Sequence, residues 1–283
     1  MIASHFLRGS FLALILSSLA AGFHAQAQPA QSNYEPQVGQ EGKDVIWVPT
    51  PQALVDKMLD LAKVTANDFV IDLGSGDGRT VITAAKRGAR ALGIEYNPDM
   101  VELSKRNAEK EGVSGTATFA KADLFESDFS QATVITMYLL PQINLKLRPK
   151  ILDLKPGTRI VSHAFTMEEW SPDDKATVSD TNSYNRTAYF WIVPAKVEGS
   201  WQLAQGELSL KQSFQMITGT LRSGGTATQI TNGRLRGDQI SFTAGNAEYT
   251  GRVSAKAMEG TVRGSSSGSW SATRIAAPAG AQK

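Results

Sequence analysis

The feature that most constrains this chain is a short apolar run that ends in an acid and leads into a glycine-rich turn. The run covers residues 69–73, and glycines then follow at every second position, at Gly74, Gly76 and Gly78. Glycine lacks a Cβ atom and adopts positive φ without strain, so such a turn brings backbone N–H groups close to a ligand. A helical pattern begins at Thr80, and its N-terminus would add further N–H groups. The stretch therefore predicts a strand, a ligand-binding turn and a helix in that order.

Two further apolar runs also end in acids. Residues 91–95 end at Glu95 and residues 118–123 end at Asp123, just as the first run carries Asp72. In an open parallel sheet the carboxyl ends of neighbouring strands border one crevice. Glu95 could there accept hydrogen bonds from ribose hydroxyls, and Asp123 could accept one from an adenine amino group. The pattern predicts a nucleoside-binding site.

A dinucleotide-binding dehydrogenase is the natural alternative, but its fingerprint G-x-G-x-x-G needs a glycine where this chain has Arg79. Any one motif alone is also compatible with a purely structural turn. Three such motifs in the same order favour S-adenosylmethionine as the ligand. Asp72 would then anchor the turn or reach the ligand's ammonium group through water. The segment around Thr50 is expected to fold over it, unless it is a plain packing strand. The predicted cofactor-binding residues are Thr50, Asp72, Gly74, Ser75, Gly76, Gly78, Glu95 and Asp123.

Strand and helix patterns alternate up to residue 163, which predicts an α/β domain with a mostly parallel sheet. Strands are predicted at 69–73, 91–95, 116–121, 132–139, 159–163 and 189–193, and helices at 51–63, 80–87, 98–111 and 143–154. From Gly199 onward nine short alternating runs are separated by turn signals such as Asn232-Gly233. This second part is expected to be a small all-β antiparallel meander, either a barrel or a sandwich.

Two later strand ends carry candidate catalytic residues. Tyr138 would offer a hydroxyl or a π-face to an amine acceptor, unless it is a core tyrosine. His163 could accept a proton near neutral pH, or it could be a buried structural histidine. On the next loop Glu168, Glu169 and Trp170 form either a rim for an amine or a solvated acidic loop. The predicted catalytic residues are Tyr138 and His163.

Composition excludes several kinds of site. The 283 residues include no cysteine, which rules out disulfides, thiolate nucleophiles and cysteine-ligated metals, and we predict no metal. The formal net charge is +2 and no Lys/Arg run stands out, so the sequence offers no argument for a nucleic-acid partner.

The N-terminus has the pattern of a secretory signal peptide. Arg8 precedes an apolar segment at residues 11–23, and Ala25-Gln-Ala27 supplies the small residues of a cleavage site. The segment is shorter than the ~20 residues that a spanning helix needs, which makes an uncleaved membrane anchor the weaker alternative. We predict cleavage after Ala27 and an exported protein, in the periplasm or the cell envelope.

Taken together, the motifs resemble a known family. They lie at residues 48–51, 72–79, 93–98, 122–126, 138–141, 144–150 and 162–163. Over residues 47–172 the chain is similar to class I methyltransferases related to the ATP synthase c-subunit lysine methyltransferase. The resemblance implies a seven-strand Rossmann-like fold, S-adenosylmethionine as donor and a protein lysine as acceptor. Ala164 departs from the acid expected after the histidine.

These observations divide the chain into segments and leave three functions open. The expected segments are a signal peptide (1–27), a linker (28–43), a methyltransferase domain (44–197), a β-rich domain (198–275) and a tail (276–283). The leading hypothesis is methylation of a protein lysine, with a membrane-associated acceptor as one possibility. A second is an envelope binding or scaffold protein whose first domain binds nucleoside without turnover, and a third is a small-molecule methyltransferase. The second would use aromatic residues at a barrel mouth, unless these pack in a core: Trp201, Phe214, Phe242, Tyr249 and Trp270.

Overall fold

A computed structural model describes residues 34–179, 185–264 and 267–276, which contain four helices and fifteen strands. The helices are α1 (Gln52–Leu61), α2 (Arg79–Lys86), α3 (Pro98–Lys110) and α4 (Pro141–Leu152). The first seven strands are β1 (Phe69–Leu73), β2 (Arg90–Glu95), β3 (Ala117–Lys121), β4 (Val134–Met137), β5 (Arg159–His163), β6 (Asp174–Thr177) and β7 (Thr187–Ile192). The last eight are β8 (Gly199–Leu203), β9 (Gly206–Ser213), β10 (Met216–Ser223), β11 (Thr226–Arg236), β12 (Gln239–Ala244), β13 (Ala247–Val253), β14 (Ala257–Arg263) and β15 (Gly268–Arg274). The predicted signal peptide lies outside the described residues, as do the first part of the linker and most of the tail.

The first seven strands form one sheet in the order β3-β2-β1-β4-β5-β7-β6. The first five run parallel, and β7 pairs antiparallel with both β5 and β6. The chain moves outward from β1 to β2 and β3, then returns to β4 on the other side of β1. This reversal opens a crevice at the carboxyl ends of β1 and β4. The prediction of a seven-strand Rossmann-like fold is confirmed.

Helices cover both faces of this sheet. On one face, α1 packs on β5, β6 and β7 and α2 packs on β1, and Leu59, Ala84 and Val70 lie in one buried apolar cluster. On the other, α4 buries Leu147 against Ile135 of β4. The two apolar layers make the sheet a rigid support for the loops at its carboxyl edge.

The last eight strands close into an antiparallel barrel, which decides between the barrel and the sandwich expected for this part. Trp201, Phe242 and Trp270 are buried in its interior, and Tyr249 stacks on Phe242 at 4.8 Å between ring centroids. These aromatic side chains form the barrel core. Phe214 instead packs with the cluster of the first domain.

The turn predicted at Asn232-Gly233 is wrong, because β11 runs through both residues. The register between β11 and β12 shifts between Thr231 and Arg234, and Asn232 has a φ of 53°. This is a β-bulge. A Cβ atom on Gly233 would lie 2.2 Å from the carbonyl oxygen of Ile217, so glycine is required there by close strand packing.

β6 was not predicted. It is a four-residue edge strand with no fully buried residue, so it lacks the alternation of apolar and polar residues on which strand prediction depends.

No helix among the described residues has the length and hydropathy to cross a bilayer.

Candidate functional site

The glycine turn after β1 forms one wall of a cavity at the carboxyl edge of the sheet. The N–H groups of Gly74 and Ser75 donate to the carbonyl oxygen of Ile94 in β2, at 2.9 and 3.1 Å. Gly76 has a φ of 54°, and a Cβ atom there would lie 2.6 Å from Nε1 of Trp47. Only glycine therefore lets the turn pass beneath this indole. The segment before α1 therefore lies over the turn.

The third glycine of the motif lies behind the turn. A Cβ atom on Gly78, whose φ is 82°, would lie 2.8 Å from the ring of Phe119 and 2.9 Å from Cβ of Ser104. Gly78 allows α2 to begin close against β3 and α3, and it does not line the cavity. The structure therefore gives Gly78 a packing role in place of the predicted contact with a ligand.

Asp72 lies under the turn and is buried. Its Oδ1 accepts a hydrogen bond from the Thr136 hydroxyl at 2.7 Å. Burial raises the pKa of Asp72 to about 7, against the effect of that hydrogen bond, and the nearby Glu95 and Asp77 carboxylates raise it further. Asp72 is thus a carboxyl group that titrates near neutral pH, and a cation in the cavity would favour its charged form.

The other two strand-end acids, Glu95 and Asp123, also line the cavity. Glu95 accepts from the N–H of Gly76 at 3.0 Å and from the N–H of Asn97 at 2.9 Å, which fixes its carboxylate toward the turn. Asp123 accepts from the N–H of Phe125 at 2.9 Å and forms an ion pair with Lys43. The hydrogen bond from Lys43 is the main reason why the pKa of Asp123 is lowered. Both side chains are therefore held in place as hydrogen-bond acceptors.

The cavity has a volume of about 350 Å³. Eight of the ten predicted site residues line it, namely Thr50, Asp72, Gly74, Ser75, Gly76, Glu95, Asp123 and Tyr138. Asp77 and Arg79 pair with each other at 2.6 Å, and Arg79 also donates to the carbonyl oxygen of Thr50 at 2.8 Å. This arginine ties the covering segment to the turn.

Tyr138 and His163 stack at the far end of the cavity, with 3.7 Å between ring centroids. Nε2 of His163 donates to the carbonyl oxygen of Asn185 at 3.1 Å, so in the neutral ring Nδ1 accepts from the Thr50 hydroxyl at 3.0 Å. His163 is 1 % exposed, and burial lowers its pKa. Both nitrogens are engaged and the ring does not line the cavity, which supports the structural alternative for this residue.

Phe165 and Asn185 line the same end but were missed by sequence reasoning. The Phe165 ring lies 6.2 Å from that of Tyr138, and Asn185 Nδ2 donates to the Tyr138 hydroxyl at 3.1 Å. Phe165 follows a strand end by two residues, and that position was a usable signal. Asn185 reaches the site only through tertiary folding. Of the loop residues suggested as an amine rim, Trp170 is fully buried and Glu169 pairs with Arg148.

The cavity's polar groups fit a nucleoside that carries a charged amino-acid part. Ser75 Oγ, within the turn, is buried against Gly93 of β2 and has no hydrogen-bond partner among the described residues. Glu95 and Asp123 add two carboxylates, and Asp72 adds a third that a cation would ionise. No three His, Asp or Glu side chains in the described part of the chain are grouped to hold a metal ion.

Comparison with known proteins identifies what this site is similar to. A family model described as the ANTKMT methyltransferase domain matches residues 72–174. A protein-lysine N-methyltransferase of Saccharolobus islandicus (strain REY15A) is 46% identical over 152 residues, which are 53% of this chain and 94% of that protein. The human ATP synthase c-subunit lysine N-methyltransferase is 36% identical over 128 residues, 45% of this chain, and the chain spans only 54% of its length.

A solved structure agrees with the fold of the first domain. The crystal structure of an RNA methyltransferase from Salinibacter ruber, in complex with S-adenosyl-L-homocysteine, is 47% identical with a TM-score of 0.50. The match covers 53% of this chain and 96% of that one. These two relatives of nearly equal identity therefore carry different names for their methyl acceptors.

Proposed function

Because the chain belongs to the family of S-adenosylmethionine-dependent methyltransferases with the ANTKMT methyltransferase domain, we propose that it N-methylates a lysine side chain of a protein. The observation that carries the acceptor is that two relatives, 46% and 36% identical to this chain, are both named lysine N-methyltransferases. A membrane-associated protein is one form that the acceptor could take.

The residues of the cavity divide the work of binding the donor. Glu95 and Asp123 would accept hydrogen bonds from its nucleoside, and Asp72 would balance its cationic amino-acid part. When bound, S-adenosylmethionine supplies a methyl group on a sulfonium, which an amine displaces in line.

The far end of the cavity suits a neutral amine. Leu140, Ile143 and Phe165 line the cavity together with Tyr138, and Asn185 is the polar neighbour that donates to the Tyr138 hydroxyl. Such apolar walls disfavour a charged ammonium and so lower the pKa of a lysine that enters. Tyr138 would orient the amine with its hydroxyl or ring face, and His163 would hold Tyr138 in place from behind.

Donor binding is the first test. Calorimetric titration of residues 28–283 with S-adenosylmethionine should give micromolar affinity, and Asp123→Ala and Glu95→Ala should each abolish measurable binding. Asp128→Ala is the matched control, because Asp128 is an exposed acid on the same loop outside the cavity. Absence of binding in well-folded protein would contradict the assignment of the cavity.

The acceptor is tested separately. The protein is incubated with isotope-labelled donor and a protein extract, an RNA fraction or a small-molecule fraction. We expect label on lysine residues of protein, located by mass spectrometry. Label in RNA or small molecules alone would refute the lysine proposal and leave the donor site intact. Binding without transfer to any fraction would favour the nucleoside-binding scaffold instead.

We also propose that the protein is exported, on the strength of Arg8, the apolar segment 11–23 and Ala25-Gln-Ala27. Mass spectrometry of fractionated cells should find an N-terminus at Gln28 in the envelope or periplasmic fraction. A full-length N-terminus in that fraction would indicate an uncleaved anchor. Recovery only from the cytoplasm would refute export.

A further inference from the structure

The loop between β5 and β6, residues 164–173, carries one wall of the acceptor end and has a strained backbone. Phe165 lines the cavity. Ala164 and Glu168 have positive φ angles of 66° and 53°, which residues with a Cβ atom rarely adopt. Such conformations persist only where the surrounding structure over-determines them. The neighbours of this loop therefore matter for the shape of the site.

The barrel supplies several of those neighbours. At the turn between β9 and β10, the Phe214 ring stacks on Trp170 with 5.9 Å between centroids and 8° between planes. The next residue, Gln215, is buried and donates through Nε2 to the carbonyl oxygen of Ser171 at 2.7 Å. Arg234 of β11 pairs with Asp173 at 2.7 Å. Three contacts from the barrel thus hold the second half of the loop.

α4 completes the clamp around the same ring. The Arg148 guanidinium lies 5.3 Å from the centre of the Phe214 ring. Its Nη1 also donates to the carbonyl oxygen of Met167 at 2.8 Å and to Glu169 at 2.6 Å. Phe214 itself has a φ of 54°, which is an energetically costly conformation for a bulky residue. The strained turn places the Phe214 ring between Trp170 and Arg148.

We propose that Phe214 is a positioning residue for methyl transfer: through Trp170 it fixes the loop that carries Phe165 at the acceptor end. The barrel then acts as a structural part of the methyltransferase. The donor end is formed by other elements, so its affinity should not depend on Phe214. The kinetic consequence rests on the proposed lysine methylation, whereas the mechanical link between barrel and loop does not.

Hydrogen exchange of the full chain tests the mechanical link without any acceptor. In Phe214→Ala the amides of residues 164–173 should exchange about tenfold faster, while those of β1 and α2 keep their protection. Phe214→Gly should loosen the loop equally, since it removes the ring but relieves the strain of the positive φ. Phe214→Tyr should restore protection. Met216→Ala, an exposed change two residues away, is the matched control.

The kinetic arm follows on the same variants. The kcat/KM for the acceptor should fall at least about fivefold in Phe214→Ala, with the Kd for S-adenosylmethionine within about twofold of the wild type. Unchanged exchange of the loop would overturn the proposal, and so would a loosened loop with unaltered kinetics. If the wild type transfers no methyl group, the proposed function is refuted. The role of Phe214 in holding the loop is then still decided by hydrogen exchange.

Discussion

We expect Asp72 to make donor binding sensitive to pH. Because burial raises its pKa to about 7, the free protein keeps this carboxyl protonated in mildly acidic solution. A cationic donor beside Asp72 would favour the carboxylate, so we expect binding to release a proton. Donor affinity should therefore rise with pH up to about 7, approaching about tenfold per pH unit below that value. Titration calorimetry over this range, in buffers of different ionisation enthalpy, measures both the slope and the released proton.

Asp72→Asn is the matched variant, because its side-chain oxygen can still accept from Thr136. It should bind the donor more weakly and with a flat pH profile. The free wild type should lose stability as pH rises from about 4 to about 7, since the folded state holds the extra proton in that window. If donor affinity rises as steeply with pH in Asp72→Asn as in the wild type, a group other than Asp72 titrates.

His163 offers a second prediction at the residue scale. Its ring is held between Thr50 and Asn185 and stacks on Tyr138, which is the geometry of a positioning residue. His163→Gln should slow transfer about tenfold and leave the shape of the pH–rate profile unchanged. A general base would instead be worth about a hundredfold or more, and its loss would remove a limb from the profile. That second outcome would restore the role of proton acceptor.

At the scale of elements, Asp68 anchors the sheet at the edge opposite the cavity. It precedes β1 directly, is 7 % exposed, and accepts from the N–H of Thr65 and the Thr133 hydroxyl, both at 2.8 Å. It also forms an ion pair with Arg159 of β5. Burial by itself would raise the pKa of Asp68, but these hydrogen bonds and the arginine lower it. The network joins β1, β4 and β5.

Asp68→Ala should cost about 1–3 kcal/mol of unfolding free energy, because the Thr65 N–H and the Thr133 hydroxyl lose their acceptor. The loss should be full above about pH 4 and shrink as pH falls through the lowered pKa of Asp68. Urea unfolding at several pH values measures it. Asp60→Ala is the control, since the Asp60–Arg87 pair is exposed and should contribute less than about 1 kcal/mol. Equal losses in the two variants would contradict the argument.

For the whole molecule, Asp173 joins the first domain to the barrel. Its side chain is fully buried, accepts from the N–H of Ile192 at 2.9 Å and pairs with Arg234 of β11. Asp173→Ala should destabilise the protein by about 1–3 kcal/mol, because the Ile192 N–H loses its partner. Differential scanning calorimetry checks this against Asp174→Ala, an exposed neighbour. An unchanged melting temperature in Asp173→Ala would deny this contact a role in joining the two parts.

By itself, the sequence determined the alternation of strands and helices, the glycine turn and the three strand-end acids. These are local properties. The spacing of apolar residues, the glycines that allow a positive φ and the acid at the end of an apolar run can all be recognised from residues that are close in sequence. The same local rules failed at Asn232-Gly233, where the turn signal is a bulge required by Ile217 on another strand. The local rules also failed to predict β6, which forms a strand because it pairs with β7 and not because of its own side-chain pattern.

Only the tertiary structure decided which residues meet. Asn185 reaches Tyr138 across 47 positions of sequence, and Lys43 reaches Asp123 across 80. Gly78 has the same local pattern as Gly76, yet Phe119 and Ser104 turn it into a packing residue. The sequence also does not predict the contact between the barrel and the loop at 164–173, because that contact depends on how the two parts of the chain pack together. Local chemistry therefore predicts the residues that we propose to bind the donor, whereas long-range packing builds the end of the cavity where we propose that the acceptor enters.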